Sequence, residues 1–276
     1  MSRIQDTFSE LKSVGKTALI PYITAGDPEP NATIDLMHLL VDKGADMLEL
    51  GVPFSDPMAD GPVIQKAVER ALRHNVSLDD VLEFVRVFRE KDSKTPVILM
   101  GYLNPIEAMG YEEFANAASS VGVDAVLTVD MPPEESQGYF QALSTHELDR
   151  IFLVSPTTPD GRLLSVNEKG SGFVYYVSLK GVTGSKELDT VDVANNMARL
   201  HTKLNIPIGI GFGINNGPMA FEMAKLGDAV VVGSSLVKLI EANESKGRYD
   251  IHLAIGEKMA EFRHAIDRAD VLKGQE

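Results

Sequence analysis

The sequence contains no cysteine among its 276 residues. Disulfides, thiolate nucleophiles and cysteine-based metal sites are therefore excluded, and a chain without cysteine is compatible with a reducing cytoplasm. Basic residues are also scarce, because 26 lysines and arginines stand against 40 acids and the net charge is −14. Nucleic-acid phosphates require a basic protein surface, so this composition argues against nucleic acid as a partner.

Long hydrophobic runs are missing as well. No stretch of roughly eighteen consecutive apolar residues occurs, which is the minimum for a transmembrane helix. The polar N-terminus lacks the apolar centre that a signal peptide needs. The sequence therefore predicts a protein without membrane association, located in the cytoplasm.

Short runs of apolar and β-branched residues recur along the chain, and most of the segments between them have apolar residues three and four apart, as helices do. The runs are 18–24, 47–52, 97–102, 125–130, 151–155, 173–178, 206–211 and 229–233. Near-continuous apolar strands that alternate with helices indicate a parallel sheet covered by helices. This α/β pattern of eight units predicts a (β/α)8 barrel, the TIM-barrel fold.

A doubly wound open sheet is the alternative fold. It usually shows fewer strands and a glycine fingerprint after the first strand. Here the first strand leads into TAGDP (residues 24–28), which has no G-x-G-x-x-G pattern, so the barrel is favoured.

No linker, repeat or low-complexity segment divides the chain. We predict a single domain over residues 1–276, with a barrel core at about 17–242 and a C-terminal helical tail at about 250–270. An extra N-terminal helix at residues 2–13 and an additional helix within 63–73 should decorate the barrel. The tail is expected to be a solvated helix.

Glu49 stands inside the apolar run 46–51. A charge there costs several kcal/mol unless it is paired, protonated or used. If Leu48 and Leu50 face the helices, alternation turns Glu49 toward the barrel axis, and Gly51 leaves space above it for a ligand. Burial would raise the pKa of Glu49, so that it could give and take a proton near neutral pH. The alternative is a glutamate that turns outward to pair with a lysine or arginine.

Asp60 follows eleven residues later, on a loop rich in proline and glycine that can become neither helix nor strand. An acid at a strand end that faces an acid on the next loop suggests acid/base chemistry on a small molecule. A turn former or helix cap is the alternative for Asp60, and it suits Asp27 and Asp56 better. Asp130, at the end of the fourth strand, is a further candidate, for which support of the loop or a role as a neighbour's hydrogen-bond partner is the simpler interpretation.

Glycine-rich turns follow the sixth, seventh and eighth predicted strands. They are KGVTG (residues 180–184), GIGFG (209–213) and VGSS (232–235). Glycines let backbone N–H groups approach an anion, and a helix that begins at Ser234 or Ser235 adds free donors and a favourable dipole. Barrel enzymes often bind phosphate after strands seven and eight, so the turns predict a phosphate site. Tight packing at crowded strand ends is the alternative.

Apolar and aromatic residues near strand ends would complete the pocket, although each could equally belong to the ordinary core. They are Tyr22, Met100, Tyr102, Leu127, Phe212 and Val232. Tyr175, midway along the sixth strand, needs a hydroxyl partner if it is buried, and a carboxylate across the barrel would supply one. The six histidines fall in or beside predicted helices, away from strand ends, so no metal site is predicted.

Four segments closely resemble the tryptophan synthase α-subunit family. They are PYITAGDP (residues 21–28), LELGVPFSDPMADGP (48–62), GVTG (181–184) and GFGI (211–214). The likeness runs from the N-terminal helix to about residue 240, and the second segment is highly specific. The family has a (β/α)8 barrel and is a lyase that splits indole-3-glycerol phosphate into indole and glyceraldehyde 3-phosphate in a retro-aldol reaction.

The resemblance also implies roles for individual residues. Glu49 would be the catalytic acid/base, Asp60 the second catalytic carboxylate, and Tyr175 would orient Glu49 or the glycerol chain. The implied phosphate-binding residues are Thr183, Gly184, Gly213, Gly233, Ser234 and Ser235. The implied indole pocket consists of Tyr22, Met100, Leu127, Phe212 and Val232.

The family works as an α2β2 complex with a β subunit that carries pyridoxal phosphate and joins the transferred indole to serine. The resemblance therefore implies no cofactor in this chain. It places partner contacts on the loop of Ser55, Asp56 and Pro57, which continues to residue 58, and on Pro28 and residues 104–105. Residues 179–189 would form a lid.

Two alternative functions would require different residues. Another phosphate-binding barrel, such as a sugar-phosphate epimerase or isomerase, would need metal-binding histidines at strand ends or a different acid pair. A non-catalytic relative that only supports a β partner should have lost Glu49 or Asp60, and both are present.

Overall fold

A computed structural model describes residues 2–135, 137–177, 190–211 and 213–275. Its strands are all parallel and pair in the order β5-β4-β3-β2-β1-β9-β8-β7-β6. They are β1 Ala18–Thr24, β2 Leu48–Gly51, β3 Val97–Gly101, β4 Ala125–Thr128, β5 Asp149–Arg150, β6 Phe152–Val154, β7 Val174–Val177, β8 Ile208–Gly211 and β9 Ala229–Val232.

Strands β5 and β6 are two halves of one barrel strand. Only Ile151 separates them, and its N–H donates to the Val126 carbonyl of β4 at 3.0 Å. The first half pairs with β4 and the second half pairs with β7. This strand joins the two ends of the sheet, so the eight-stranded TIM barrel predicted from the sequence is confirmed.

Helices alternate with the strands and cover the barrel. They are α1 Arg3–Ser13, α2 Pro30–Asp42, α3 Pro62–Leu72, α4 Leu78–Arg89, α5 Leu103–Met109, α6 Tyr111–Val121, α7 Gln137–Thr145, α8 Asp160–Lys169, α9 Thr190–His201, α10 Gly217–Ala224, α11 Ser234–Asn243 and α12 Arg248–Lys273. The extra helices predicted at 2–13 and within 63–73 are α1 and α3. In the described part of the chain, no helix combines the length and apolar character that a membrane crossing requires.

Alternate residues of each strand face opposite sides of the barrel wall. Inward-facing residues form one apolar cluster that fills the barrel, with contributions such as Ile20, Met47 and Leu127. Their neighbours in sequence, such as Leu19 and Leu48, belong to a larger cluster between the strands and the helices. The inside of the barrel is therefore a packed core, and a ligand-binding site can lie only at an end of the barrel, beyond this core.

Helix α1 closes the N-terminal end of the barrel. Ile4 and Phe8 belong to the cluster inside the barrel, and the Phe8 and Phe173 ring centroids lie 5.9 Å apart. Arg3 pairs at 2.8 Å with Asp124, which directly precedes β4. Because this end is plugged, the open mouth lies at the C-terminal ends of the strands.

The C-terminal helix differs from the expected solvated tail. Helix α12 buries one face of apolar residues, among them Ile255, Met259 and Phe262. Near its end the Asp270 carboxylate accepts hydrogen bonds from the N–H and hydroxyl of Thr17, at 3.0 and 2.6 Å. The sequence does not show this face clearly, because the helix also exposes the apolar Leu253, Val271 and Leu272 and buries the charged Asp270.

Asp27 also differs from the turn residue expected of it. Its carboxylate is fully buried in the loop after β1 and accepts two hydrogen bonds from the Arg70 guanidinium of α3, at 2.6 and 2.9 Å. Such a pair offsets the cost of burying either charge alone. It joins the β1 loop to α3, the helix that follows Asp60 in the chain.

Candidate active site

Strand β2 points Glu49 into the barrel, as the alternation predicted. Leu48 and Leu50 pack in the outer cluster, whereas Met47 packs inside the barrel. Glu49 lies opposite Tyr22 in the strand register and is only 1% exposed. The outward-turned alternative for this glutamate is therefore wrong.

The Glu49 carboxyl group is buried, and among the described residues no cation lies beside it. Its Oε1 atom has no hydrogen-bond partner among the described residues. Burial, and after it the negative charge of Asp60, raises the pKa of Glu49 to about 8. At neutral pH the group is thus largely protonated, so it can donate a proton and then accept one.

Asp60 lies on the loop after β2 and is held by a side chain from the next strand. The Tyr102 hydroxyl donates to Asp60 Oδ2 at 3.0 Å and accepts from the Ala59 N–H at 3.0 Å. Burial raises the pKa of Asp60, and the Tyr102 hydrogen bond opposes that rise. The Tyr102 hydrogen bond therefore holds an Asp60 carboxyl group whose negative charge acts on Glu49.

Sequence reasoning placed Tyr102 only among the pocket-lining residues and missed its hydrogen bonds. A hydroxyl directly after the last residue of β3 was the available signal. Asp130, by contrast, supports a loop as expected, because its Oδ1 accepts the N–H of Leu103 at 2.8 Å, where α5 begins.

Two tyrosines occupy space above inward-facing glycines. A Cβ atom on Gly51 would overlap the Tyr22 ring, and one on Gly211 would overlap the Tyr175 ring. The space above Gly51 is therefore filled by Tyr22, which corrects the expectation that it is left for a ligand. Burial and then the Glu49 charge raise the pKa of Tyr175, which places its hydroxyl within electrostatic reach of that carboxyl group.

The described parts of the predicted phosphate site lie together. Gly213 has a φ of 77°, a value that a residue with a side chain rarely adopts. Gly233 directly precedes α11, whose first residues are Ser234 and Ser235, and the Ser235 hydroxyl donates to the Ile214 carbonyl at 3.4 Å. The free N–H groups at the start of α11 thus adjoin the loop after β8. Thr183 and Gly184 lie outside the described residues.

Three residues of the predicted indole pocket lie inside the barrel, and one lies outside it. Tyr22, Met100 and Leu127 lie on the inner face of the barrel. Val232 packs in the outer cluster, because Val231 beside it points inward and alternate residues face opposite sides. We therefore leave Val232 out of the pocket. Phe212 lies outside the described residues.

The predicted partner loop is exposed. Ser55 and Asp56 lie on the surface, where the Ser55 hydroxyl donates to Asp56 at 2.5 Å, and Met58 is 78% exposed. Together with Pro57 they border a groove of about 390 Å³ against α3. Within the described residues, no group of three or more histidine, aspartate or glutamate side chains could hold a metal ion.

Comparisons with known proteins agree with this geometry. The sequence model of the family described as tryptophan synthase alpha chain matches residues 8–266. The tryptophan synthase alpha chain of Hydrogenovibrio crunogenus is 70% identical over 270 residues, which cover 98% of this chain and 99% of that one. That of Thioalkalivibrio sulfidiphilus is 54% identical over 267 residues, which cover 97% and 100%.

A solved structure gives the same result. Tryptophan synthase subunit alpha from Legionella pneumophila superposes with a TM-score of 0.91 at 47% identity, covering 97% of this chain and 99% of that one. The chain belongs to the tryptophan synthase alpha chain family.

Proposed function

We propose that Glu49 and Asp60 are the two catalytic carboxylates with which this chain cleaves indole-3-glycerol phosphate. The cleavage to indole and glyceraldehyde 3-phosphate is the activity of the family, and it makes the chain a lyase of tryptophan biosynthesis. The observation that carries the assignment is the buried carboxyl group of Glu49 at the barrel mouth, whose Oε1 has no hydrogen-bond partner in the described part of the chain and whose pKa is raised to about 8.

Glu49 would act first as an acid. Its carboxyl proton moves to C3 of the indole ring, which turns the ring into a cationic electron sink. Because the neutral form of Glu49 is favoured by burial, the proton is present before substrate binds. The site therefore does not have to hold a buried Glu49 carboxylate before the reaction begins. The carboxylate that forms would lie next to the substrate hydroxyl group that it deprotonates.

Glu49 would then act as a base. The carboxylate removes the proton of the hydroxyl group on the side-chain carbon next to the ring. The carbon–carbon bond breaks, its electron pair returns to the ring to give indole, and the carbon that bore the hydroxyl becomes the aldehyde of glyceraldehyde 3-phosphate. Glu49 regains its proton in this step, so one residue serves both transfers.

Asp60 would stabilise the positive charge that develops on the ring. A carboxylate that accepts the indole N–H gains most when the ring is protonated at C3, so it stabilises the transition state more than the substrate. The Tyr102 hydrogen bond holds the carboxylate in place and favours its ionised form. Tyr175 would orient Glu49 or the glycerol chain.

The substrate would lie across the mouth of the barrel. We assign its phosphate to the turns at Gly213 and Gly233 and to the start of α11 at Ser234 and Ser235, together with Thr183 and Gly184. We assign its indole ring to the inner face near Met100 and Leu127, with Tyr22 and Phe212. The backbone N–H groups and helix dipole at α11 would supply favourable electrostatics for the phosphate.

We further propose that a tryptophan synthase β subunit is the partner. Membership of the family supports an assembly of this kind, and the exposed loop of Ser55, Asp56 and Pro57 supports contacts there. Pyridoxal phosphate would belong to the β subunit, which would receive the indole directly in an α2β2 complex. A single domain over the whole chain and a cytoplasmic location stay predictions from the sequence.

The assay is indole formation from indole-3-glycerol phosphate, with and without purified β subunit. Indole should form in both cases, and faster with the β subunit. Met58 is 78% exposed next to the partner loop, so Met58→Glu should reduce the stimulation more than the basal rate. No indole under either condition would refute the proposed function, and an unchanged stimulation in Met58→Glu would refute the contact surface.

A further inference from the structure

The Tyr22 ring is fixed on the inner wall of the barrel. The ring is 7% exposed and lies against two glycines on the neighbouring strands. A Cβ atom added to Gly51 of β2 would lie 2.6 Å from Tyr22 Cζ, and one added after β9 at Gly233 would lie 3.2 Å from Tyr22 Cβ. The first distance is shorter than real Cβ contacts and the second is tighter than most of them, so Tyr22 occupies space that side chains at these two positions would need.

The strand register places the Tyr22 hydroxyl above Glu49. The register of β1 and β2 pairs Tyr22 with Glu49 and Thr24 with Gly51. Because residues two apart share a face, Gly51 is the next inward position toward the mouth after Glu49. The Tyr22 hydroxyl rests against Gly51, and therefore in the layer directly above the Glu49 side chain.

The Tyr22 hydroxyl forms a hydrogen bond with the Thr24 side chain. The Thr24 hydroxyl lies 3.2 Å from the Tyr22 hydroxyl, and either can be the donor. When Thr24 donates, the Tyr22 hydrogen is free for a second acceptor. Burial, followed by the charges of Asp60 and Glu49, raises the pKa of Tyr22, so the hydroxyl keeps its hydrogen while Glu49 changes its charge.

The Glu49 carboxyl group lacks such a donor in the described chain, since Oε1 is buried and unpartnered. Among the described residues, the titratable groups that interact electrostatically with it are Asp60 from the loop, Tyr22 from β1 and Tyr175 from β7. The inner face of β3 supplies the apolar Ile98 and Met100. Once Glu49 has given up its proton, the carboxylate needs a hydrogen bond to offset its burial.

We propose that Tyr22 is a positioning residue for Glu49: its hydroxyl, hydrogen-bonded to Thr24, donates a hydrogen bond to the Glu49 carboxylate that forms after protonation of the substrate. This inference rests on the proposed role of Glu49 in proton transfer. The hydrogen bond stabilises the ionised form, so it makes Glu49 a stronger acid and holds the carboxylate for the second proton transfer.

The experiment compares Tyr22→Phe with the wild-type chain in the pH dependence of kcat/KM for indole formation. Protonated Glu49 is the active form, so wild-type kcat/KM should fall as the pH rises through about 8. Tyr22→Phe should lower the plateau about tenfold and move this descending limb up by about one pH unit, because ionised Glu49 loses a charge-assisted hydrogen bond. Thr24→Val should shift the limb in the same direction by less.

Tyr139→Phe is the matched control. Tyr139 is also buried and its hydroxyl lies 2.8 Å from that of Thr128, but it packs between the barrel and the helices. Loss of this hydroxyl should leave the descending limb where it is. Urea unfolding of all three variants shows whether each one retains its fold.

If kcat/KM of Tyr22→Phe falls at the same pH as that of the wild type, the inference is overturned, whether its plateau equals the wild-type plateau or is lower. A lower plateau alone would mean that the hydroxyl contacts substrate without acting on Glu49. Glu49→Gln, measured alongside, distinguishes a failure of the role proposed for Glu49 from a failure of the role proposed for Tyr22. If it retains activity, the proposed catalytic role of Glu49 fails, whereas an inactive Glu49→Gln with an unshifted Tyr22→Phe refutes only the role of Tyr22.

Discussion

Glu49→Gln is expected to lower kcat for indole formation by about 10³-fold or more, because a positioned acid/base group contributes about 10²–10⁴-fold and Glu49 serves two proton transfers. Glutamine has nearly the same shape and remains neutral. Since the native carboxyl group is buried and largely protonated at neutral pH, the substitution leaves packing and charge almost unchanged. The loss should therefore appear in kcat, with little change in substrate affinity.

The chain helps with this measurement because it contains no tryptophan. Indole fluorescence can therefore report substrate binding and product release without a tryptophan background from the protein. Glu168→Gln, at an exposed position on α8, is the matched control and should keep wild-type activity. Normal turnover by Glu49→Gln would contradict the assignment, and failure to bind substrate would show that Glu49 holds the ligand instead.

Asp60→Asn is expected to lower kcat by about 10²–10³-fold, which is the usual effect of removing one electrostatic contact to developing charge. Asparagine can still accept the Tyr102 hydroxyl through its carbonyl, so the loop should keep its conformation. The lost quantity is the negative charge beside the protonated ring. Because the Asp60 charge also raises the pKa of Glu49, the same variant should move the descending pH limb to lower values.

Asp56→Asn supplies the control for Asp60. It changes an exposed acid of the same loop and should leave indole formation unaffected when the β subunit is absent. If Asp60→Asn also turns over at the wild-type rate, Asp60 is only a loop residue that Tyr102 holds in place. A loss confined to KM would assign it to substrate binding.

Much of the fold could be predicted because its signal is local. Alternation of apolar strands with helical spacing is written in neighbouring residues, and a glutamate within an apolar run shows a buried charge without any knowledge of its partners. Glu49 therefore followed from the sequence by physical reasoning. Asp60 did not, because an aspartate before Gly-Pro is just as typical of a turn, and only the family resemblance distinguished it.

The features that could not be predicted depend on contacts between residues that are far apart in the sequence. Asp27 and Arg70 are 43 positions apart and Tyr102 and Asp60 are 42 apart, so no local pattern connects either pair. Val232 illustrates a different difficulty. Strand β9 is apolar on both faces, so its sequence contains no alternation that could tell the inside of the barrel from the outside.

The wild-type pH dependence of kcat/KM tests most directly whether Glu49 enters the reaction as a buried neutral acid. This profile reports the ionisation of the free enzyme, and it should be measured above pH 7, since a phosphate ester completes its own titration near pH 6. The raised pKa predicts a plateau at neutral pH and a tenfold fall per pH unit above about 8, absent from the residual rate of Glu49→Gln. A profile that stays flat or rises between pH 7 and 9.5 would contradict it.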